Sequence, residues 1–385
     1  MPKIAIYAAD IPSTTFIERL ITGLASDGNE VYVFGKQKGD ISYSSGIKVV
    51  AYKNNISKGW QYIKYYALLL LKKPGQLRRL KQIFSEGDKL SYRHKLSISM
   101  PVLYHKPDVF HIQWAKAVDD WMWVKEFGIK IVLSLRGTHI NYSPVTVPGL
   151  ADIYRRNFPN IDGFHAVCNA IARKAEAYGA TNIKTVYSGL NIAEYDFGST
   201  EKKENTLNIL SIGRWHWVKG YDYALNGMQV LKEKGISFHY TIIGGSETEE
   251  ALFNIVDTGL QKHISFMRLM PHAALKEYMH AADILLLPSI EEGIANVVLE
   301  AMAYGTIVIA TNCGGMSEAI TDGENGFLVP IRNSEAIAEK LIEVAMLSDA
   351  EKKLIRKKAR KTIEEKFRAD SMIEGMKNLY RAVLT

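Results

Sequence analysis

The chain has 385 residues, 47% of them hydrophobic and 23% charged, with a net charge of +7 and two cysteines. That length suits two domains with a core each, and that composition excludes a disordered, collagen-like or disulfide-stapled chain. The longest apolar run among its aromatic stretches, Tyr65 to Leu71, is far short of the roughly 20 residues of a membrane span, and the start MPKIAIYAADIP lacks a signal-peptide core, so a cytoplasmic protein is expected.

Lys3 to Ala8 reads as a buried strand. Phe16, Ile17, Leu20, Ile21 and Leu24 then recur at helical spacing, Gly28 ends that helix, and Val31 to Phe34 is the next strand. This βαβ opening has no G-x-G-x-x-G, which argues against a dinucleotide-binding dehydrogenase. Ser13 and Thr14 stand in its first loop. Their hydroxyls suit a phosphate or an acceptor, or simply cap the helix.

Residues 53–106 carry 12 Lys/Arg and 2 Asp/Glu, interleaved with Trp60, Tyr62, Tyr65 and Tyr66. Three readings fit: helices with snorkelling basic edges, a surface for anionic membranes, or a nucleic-acid face. No recognition motif supports nucleic acid. A membrane partner and a peripheral location at the inner membrane face are the expectation kept.

Val109 to Ile112 and Ile131 to Leu135 are further strands, the second ending in Arg136-Gly137-Thr138-His139. Phe164 to Val167 follows, with Asn169 as a helix cap. The polar run 198–208 marks a boundary, placed at 192/193. Leu207 to Ile212 opens the second domain as a strand, followed by Gly213-Arg214 and then Lys219-Gly220. An arginine forks two bonds onto phosphate oxygens and a lysine adds a point charge. Tyr240 to Ile243 ends at Gly244-Gly245-Ser246, and Ile264 to Met267 leads to Arg268.

The stretch 283–330 is the most informative. Ile284 to Leu287 is a strand stopped by Pro288; a helix starts near Ala295; Ile307 to Ala310 is another strand before Gly314-Gly315. Glu292 lies in the first loop and Glu300 eight residues on. A helix N-terminus favours an anion such as phosphate, and carboxylates accept from hydroxyls. A sugar nucleotide carries both. The plain alternative makes Glu292 a first-turn acid and Glu300 part of a solvated face. No D-x-D pair occurs, and His263, His272 and His280 are too irregularly spaced for a metal pair.

PS-x-x-EG, x-x-N-x-x-LEAMA-x-G, AT-x-x-GG-x-x-E and NGFLV-P, in that order, resemble the donor site of glycosyltransferase family 4. The resemblance implies an α/β protein of the GT-B fold, two Rossmann-like domains with a cleft between them. These are residues 1–192 on the acceptor side and 193–366 on the donor side, with a last helix, about 367–385, packing back onto the first. It implies a metal-independent, retaining transfer of a hexosyl unit from a UDP- or GDP-linked sugar to a glycan or lipid-linked acceptor, in exopolysaccharide, lipopolysaccharide or glycolipid assembly. No cofactor is implied. It assigns Arg214 and Lys219 to the diphosphate, Glu292 to donor-sugar hydroxyls and Glu300 to the ribose. The backbone of Gly293, Ile294, Ala295, Asn296 and Val297 completes the phosphate site. Gly213, Gly244, Met267 and Arg268 lie toward the nucleotide. Relatives place a histidine against the donor sugar where this chain has Arg136, with His139 three residues on; both are carried. The alternatives are a sugar-nucleotide epimerase on the same plan, or an inactive nucleotide-sugar-binding or membrane-scaffold protein.

Overall fold

The computed structural model describes residues 2–44, 46–85, 89–198, 206–245 and 248–385, without the side chains at 89, 90 and 272. Ser246 and residues 199–205 of the boundary run therefore lie outside the described residues. The chain forms two compact units. One comprises Met1–Val167, Ala172–Val186 and Asp370–Thr385; the other comprises Cys168–Ile171 and Tyr187–Ala369. The chain thus passes between the units at 167/168, 171/172, 186/187 and 369/370; the sequence reading put one boundary at 192/193 and a returning helix at about 367–385.

The first unit holds a seven-stranded sheet. Its strands are β1 (Lys3–Ile11), β2 (Glu30–Gln37), β3 (Ile47–Tyr52), β4 (Val109–Ile112), β5 (Lys130–Leu135), β6 (Gly163–Ala166) and β7 (Ile183–Thr185). They lie in the order β3-β2-β1-β4-β5-β6-β7, all parallel. A parallel sheet buried on both faces needs near-continuous apolar strands, and Val109-Phe110-His111-Ile112 and Ile131 to Leu135 are buried throughout. The helix Thr15–Ser26 buries Ile17, Leu20, Ile21 and Leu24 against it. The C-terminal helix Ala369–Leu384 adds Met372, Met376, Leu379 and Tyr380 to the same core. Gly23 admits that helix: a Cβ there would sit 2.4 Å from Ile373 Cδ1.

The second unit holds six parallel strands in the order β10-β9-β8-β11-β12-β13. These are β8 (Leu207–Ile212), β9 (Phe238–Ile243), β10 (Ile264–Met267), β11 (Ile284–Leu287), β12 (Ile307–Thr311) and β13 (Phe327–Val329). In both units strand order reverses beside the first strand, between β1 and β4 and between β8 and β11. Such a switch point leaves a crevice at the carboxyl ends of its two strands, where open α/β sheets bind ligands. Three strands went unread in the sequence: β3, β7 and β13. Each is a sheet edge, and β7 and β13 have three residues apiece. Partial burial blurs the apolar pattern of an edge, and three residues carry no periodicity.

Candidate functional site

In the second unit the loops after β8 and β11 lock together. Ile290 N–H donates to the Val218 carbonyl at 2.8 Å. Gly220, at φ 65°, leaves no room for a side chain: a Cβ would lie 2.1 Å from the Pro288 carbonyl oxygen. Gly314, at φ 54°, meets the Glu292 carbonyl oxygen in the same way at 1.9 Å, and Gly315 N–H donates to the Gly293 carbonyl at 2.7 Å. The glycines of the sequence motif are therefore contact points between three loops.

This packing brings Lys219 and Glu292 together. Lys219 Nζ donates to Glu292 Oε1 at 2.6 Å, and Ser289 Oγ donates to the same oxygen at 3.1 Å. Both charged side chains are largely covered, 24% and 17% exposed. Glu292 is thus a counter-ion to Lys219 in this structure, a pairing that the separate sequence roles did not contain. Beneath it, Thr311 Oγ1 donates to the Ser289 carbonyl. Arg214 is exposed on the same loop as Lys219 and makes no hydrogen bond or ion pair with a described residue. Gly213 is held by Tyr221, whose hydroxyl donates to its carbonyl at 3.0 Å, and Trp215 stacks on Tyr221 at 5.0 Å.

The helix after β11 runs Asn296–Tyr304, one residue later than the start read near Ala295. Ala295 is its N-cap in extended conformation, without a side-chain cap. The first N–H groups of a helix have no partner within it, and alanine there costs about 1 kcal/mol relative to Ser or Asp. The start at Gly293, Ile294, Ala295, Asn296 and Val297 is therefore suited to an anion. Glu300 lies on this helix and is 8% exposed, which excludes the solvated-face alternative. Gly244 (φ 84°) follows β9, its N–H donating to the Met267 carbonyl at 2.9 Å at the end of β10. Arg268 is exposed and makes no hydrogen bond or ion pair with a described residue. Cys313 is buried, and burial pushes its thiol up to about 11, as suits a packing residue. Among the described residues no group of three His, Cys, Asp or Glu side chains could hold a metal ion.

In the first unit, Ser13, Thr14, Arg136 and His139 all lie past the carboxyl ends of β1 and β5. Neither hydroxyl caps the helix: Thr14 is the N-cap but makes no side-chain cap bond, and Glu18 instead accepts from Ser13 N–H at 2.6 Å. Arg136 Nη2 donates to Gln113 Oε1 at 2.8 Å, and its guanidinium lies 4.2 Å from the Phe16 ring centroid. Burial lowers its pKa, yet it keeps its proton through pH 7. His139 packs on Trp114, with ring centroids 5.4 Å apart. Burial, with Lys116 and Arg136 nearby, pushes it down to about 4, so it is neutral at pH 7. Arg136 Nε and His139 Nδ1 are both buried without a hydrogen-bond partner among the described residues. Two orphaned polar atoms on adjacent turns mark this edge as a place for a polar ligand.

Behind Arg136 runs a buried polar chain that sequence reading missed. Tyr380 OH lies 2.7 Å from His111 Nδ1, His111 Nε2 lies 2.8 Å from Ser134 Oγ, Ser134 Oγ lies 2.9 Å from His165 Nδ1, and His165 Nε2 lies 2.9 Å from the Val186 carbonyl. The Val186 carbonyl only accepts, which sets the direction of the whole chain. His165 carries its proton on Nε2, Ser134 donates to His165, His111 donates to Ser134, and Tyr380 donates to His111. Both histidines are neutral; burial holds His111 well below its usual value and His165 at about 3. The only signal in the sequence was a histidine on each of two apolar strands.

Residues 193–362 match the family model described as glycosyl transferases group 1. Over those residues the chain is similar to the group 1 glycosyl transferases. WcaL of Salmonella typhimurium, assigned by its name to colanic acid biosynthesis as a glycosyltransferase, is 24% identical over 99% of this chain and 100% of its own length. The amylovoran biosynthesis glycosyltransferase AmsK of Erwinia amylovora is 26% identical over 56% of each chain. Among solved structures, HepE of Anabaena in complex with UDP-glucose superposes with a TM-score of 0.70 at 15% identity, covering 98% of this chain and 99% of that one. The two parallel α/β sheets and this likeness give the chain the GT-B fold.

Proposed function

We propose that this protein is a glycosyltransferase that moves a hexosyl unit from a UDP- or GDP-linked donor to an acceptor hydroxyl, with retention of configuration and without a metal. The observation that carries the reading is the cluster at the carboxyl ends of β8 and β11. There the Lys219–Glu292 pair, the exposed Arg214 and the uncapped helix start at Asn296 belong to loops locked on one another.

Negative charge grows on the leaving diphosphate as the glycosidic bond breaks. Arg214 and Lys219 stabilise it, each charged hydrogen bond contributing about 1.5–3 kcal/mol. An exposed helix terminus contributes about 0.3–1 kcal/mol, so the two cations dominate. Glu292 holds Lys219 in place and accepts from a donor-sugar hydroxyl; Glu300 accepts from the ribose. Gly213, Gly244, Met267 and Arg268 line the nucleotide. In the first unit, this reading gives Arg136, His139, Ser13 and Thr14 to the acceptor.

The names of WcaL and AmsK support an acceptor in extracellular polysaccharide assembly, and the HepE complex supports UDP. A lipid-linked acceptor would bring the protein to the inner face of a membrane. Among the described residues no helix is long and apolar enough to cross one.

The test is thermal unfolding with UDP, GDP, ADP and their sugars. A ligand at 100 times its dissociation constant stabilises the native state by about 2.7 kcal/mol. One diphosphate nucleotide should raise the melting temperature, and Lys219→Ala should abolish the rise. No rise with any of them refutes the donor assignment. Transfer that survives EDTA supports metal independence; transfer lost to EDTA and restored by magnesium refutes it.

A further inference from the structure

We infer that the helix Asn55–Lys72 docks this protein on an anionic lipid surface, lying in the interface with Ile56, Trp60, Ile63, Leu70 and Leu71 in the acyl boundary. This names the membrane contact of the proposed function and rests on that reading for its purpose alone.

The helix is well made and pinned on one face. Asn54 caps it in a reciprocal capping box with Ser57. Tyr65 and Leu69 are buried, and Tyr65 OH lies 2.9 Å from His105 Nε2. Lys81 Nζ donates to Tyr66 OH at 2.7 Å. The opposite face is apolar and bare. Ile56 is 74% exposed, Trp60 69% and Leu71 81%, with Ile63 and Leu70 also more than half exposed. At about 100° per residue, these side chains and Ala67 fall within an arc of about 100°, centred opposite Tyr65 and Leu69. The stripe runs about 22 Å along the helix. A soluble helix pairs its apolar stripe with the core and gives water its polar face. Here the apolar stripe faces water.

Charge decides what covers it. Residues 53–85 contain eight Lys/Arg and no Asp/Glu. Lys53 and Lys64 flank the stripe and Lys72 sits at its C-terminal end; all three are exposed and make no ion pair with a described residue. A second copy meeting this face would bring two such cationic surfaces together without a carboxylate between them. Anionic headgroups supply the missing charge, and acyl chains take the stripe. A tryptophan sits naturally at that depth, and lysine stems reach back to the headgroups. The five exposed apolar side chains are the signal; the basic composition alone also fits an ordinary solvated domain.

The experiment is sedimentation of the full chain with vesicles of phosphatidylcholine with or without phosphatidylglycerol. The wild type should bind the anionic vesicles and lose binding as salt is raised. Lys64→Glu with Lys72→Glu should weaken binding at least tenfold, since each lysine near an anionic surface is worth about fivefold. Trp60→Ser with Ile63→Ser and Leu71→Ser should weaken it at least tenfold at unchanged charge. All three positions are exposed, so the fold should survive, and the nucleotide-induced rise in melting temperature checks it. That rise should persist in both variants, which keeps a failed docking face distinct from a failed donor site. Wild-type binding that is absent, or equal on neutral and anionic vesicles, overturns the inference. So does a wild-type dimer in solution that the Trp60, Ile63 and Leu71 substitutions turn into a monomer, because the face then belongs to a second copy.

Discussion

The buried chain Tyr380–His111–Ser134–His165–Val186 makes a prediction that can be worked through in numbers. Its perturbation is acid. His165 is pushed down to about 3 from an ordinary 6.5. Above pH 6.5 both folded and unfolded states are neutral at this residue. Between 6.5 and about 3 the unfolded chain binds a proton that the folded one refuses. Stability therefore rises with pH across that window and is lost as pH falls through it. One pKa unit is 1.36 kcal/mol, so at pH 5 His165 alone removes about 2 kcal/mol. His111, shifted the same way, adds to this loss. The physical reason is geometric as well as dielectric. A proton on His165 Nδ1 would face Ser134, which already donates there, and would force the serine to turn. Denaturant unfolding at pH 7 and pH 5 reads the stability loss. Nitrogen-15 spectra of the histidine rings read the cause: both His111 and His165 should be neutral with the proton on Nε2 at pH 7, and neither should titrate above pH 5. A His165 ring that titrates near 6.5, or that carries its proton on Nδ1, refutes the reasoning.

Other expected outcomes are independent of that chain. Lys219→Ala should lower transfer by about 10²–10³-fold, in the range of a lost oxyanion-type contact. It should cost only about 1–2 kcal/mol of stability in denaturant unfolding, since it leaves Glu292 without its cation. Arg214→Ala should weaken nucleotide diphosphate binding by about tenfold or more in calorimetry while leaving the melting temperature of the free protein unchanged; equal affinity would remove Arg214 from the site. Gly314→Ala should destabilise by more than Gly235→Ala and raise the KM for donor. Both glycines have positive φ, but only Gly314 would drive a Cβ into the Glu292 carbonyl, whereas Gly235 has open space. Glu318→Gln should cost about 1.5–3 kcal/mol in thermal unfolding, because the carboxylate accepts from the N–H groups of Asn169 and Ala170 and from Tyr187 OH.

That last residue shows where motif reading stops. Glu318 belongs to a motif of the donor stretch, yet here it caps the helix that begins at Asn169, a position 149 residues away. The positions of Arg214, Lys219, Glu292 and Glu300, though not their roles, were legible because each follows an apolar run that reads as a buried strand. Strand, loop and helix alternate with short loops, and the local pattern of apolar residues is enough to put those loops at the carboxyl ends of parallel strands. Ser13 and Thr14 were legible as loop residues, but their capping role was not refuted until the side chain of Glu18 was seen to take the Ser13 N–H.

The amino-acid sequence by itself determined the βα repeats of both units, the glycine-bearing loops after the strands of the second and the basic character of residues 53–106, since each is written in neighbouring residues. Tertiary structure alone decided the partners. Lys219 meets Glu292 because β8 and β11 are neighbours in the sheet, although 73 residues separate the pair. Tyr380 meets His111 across 269 residues because the last helix packs under β4. Tertiary structure also decided which face of the helix Asn55–Lys72 is buried. Tyr65 and Leu69 found neighbours while Trp60 and Leu71 did not, and no local pattern distinguishes an apolar stripe that reaches a core from one that is left facing outward.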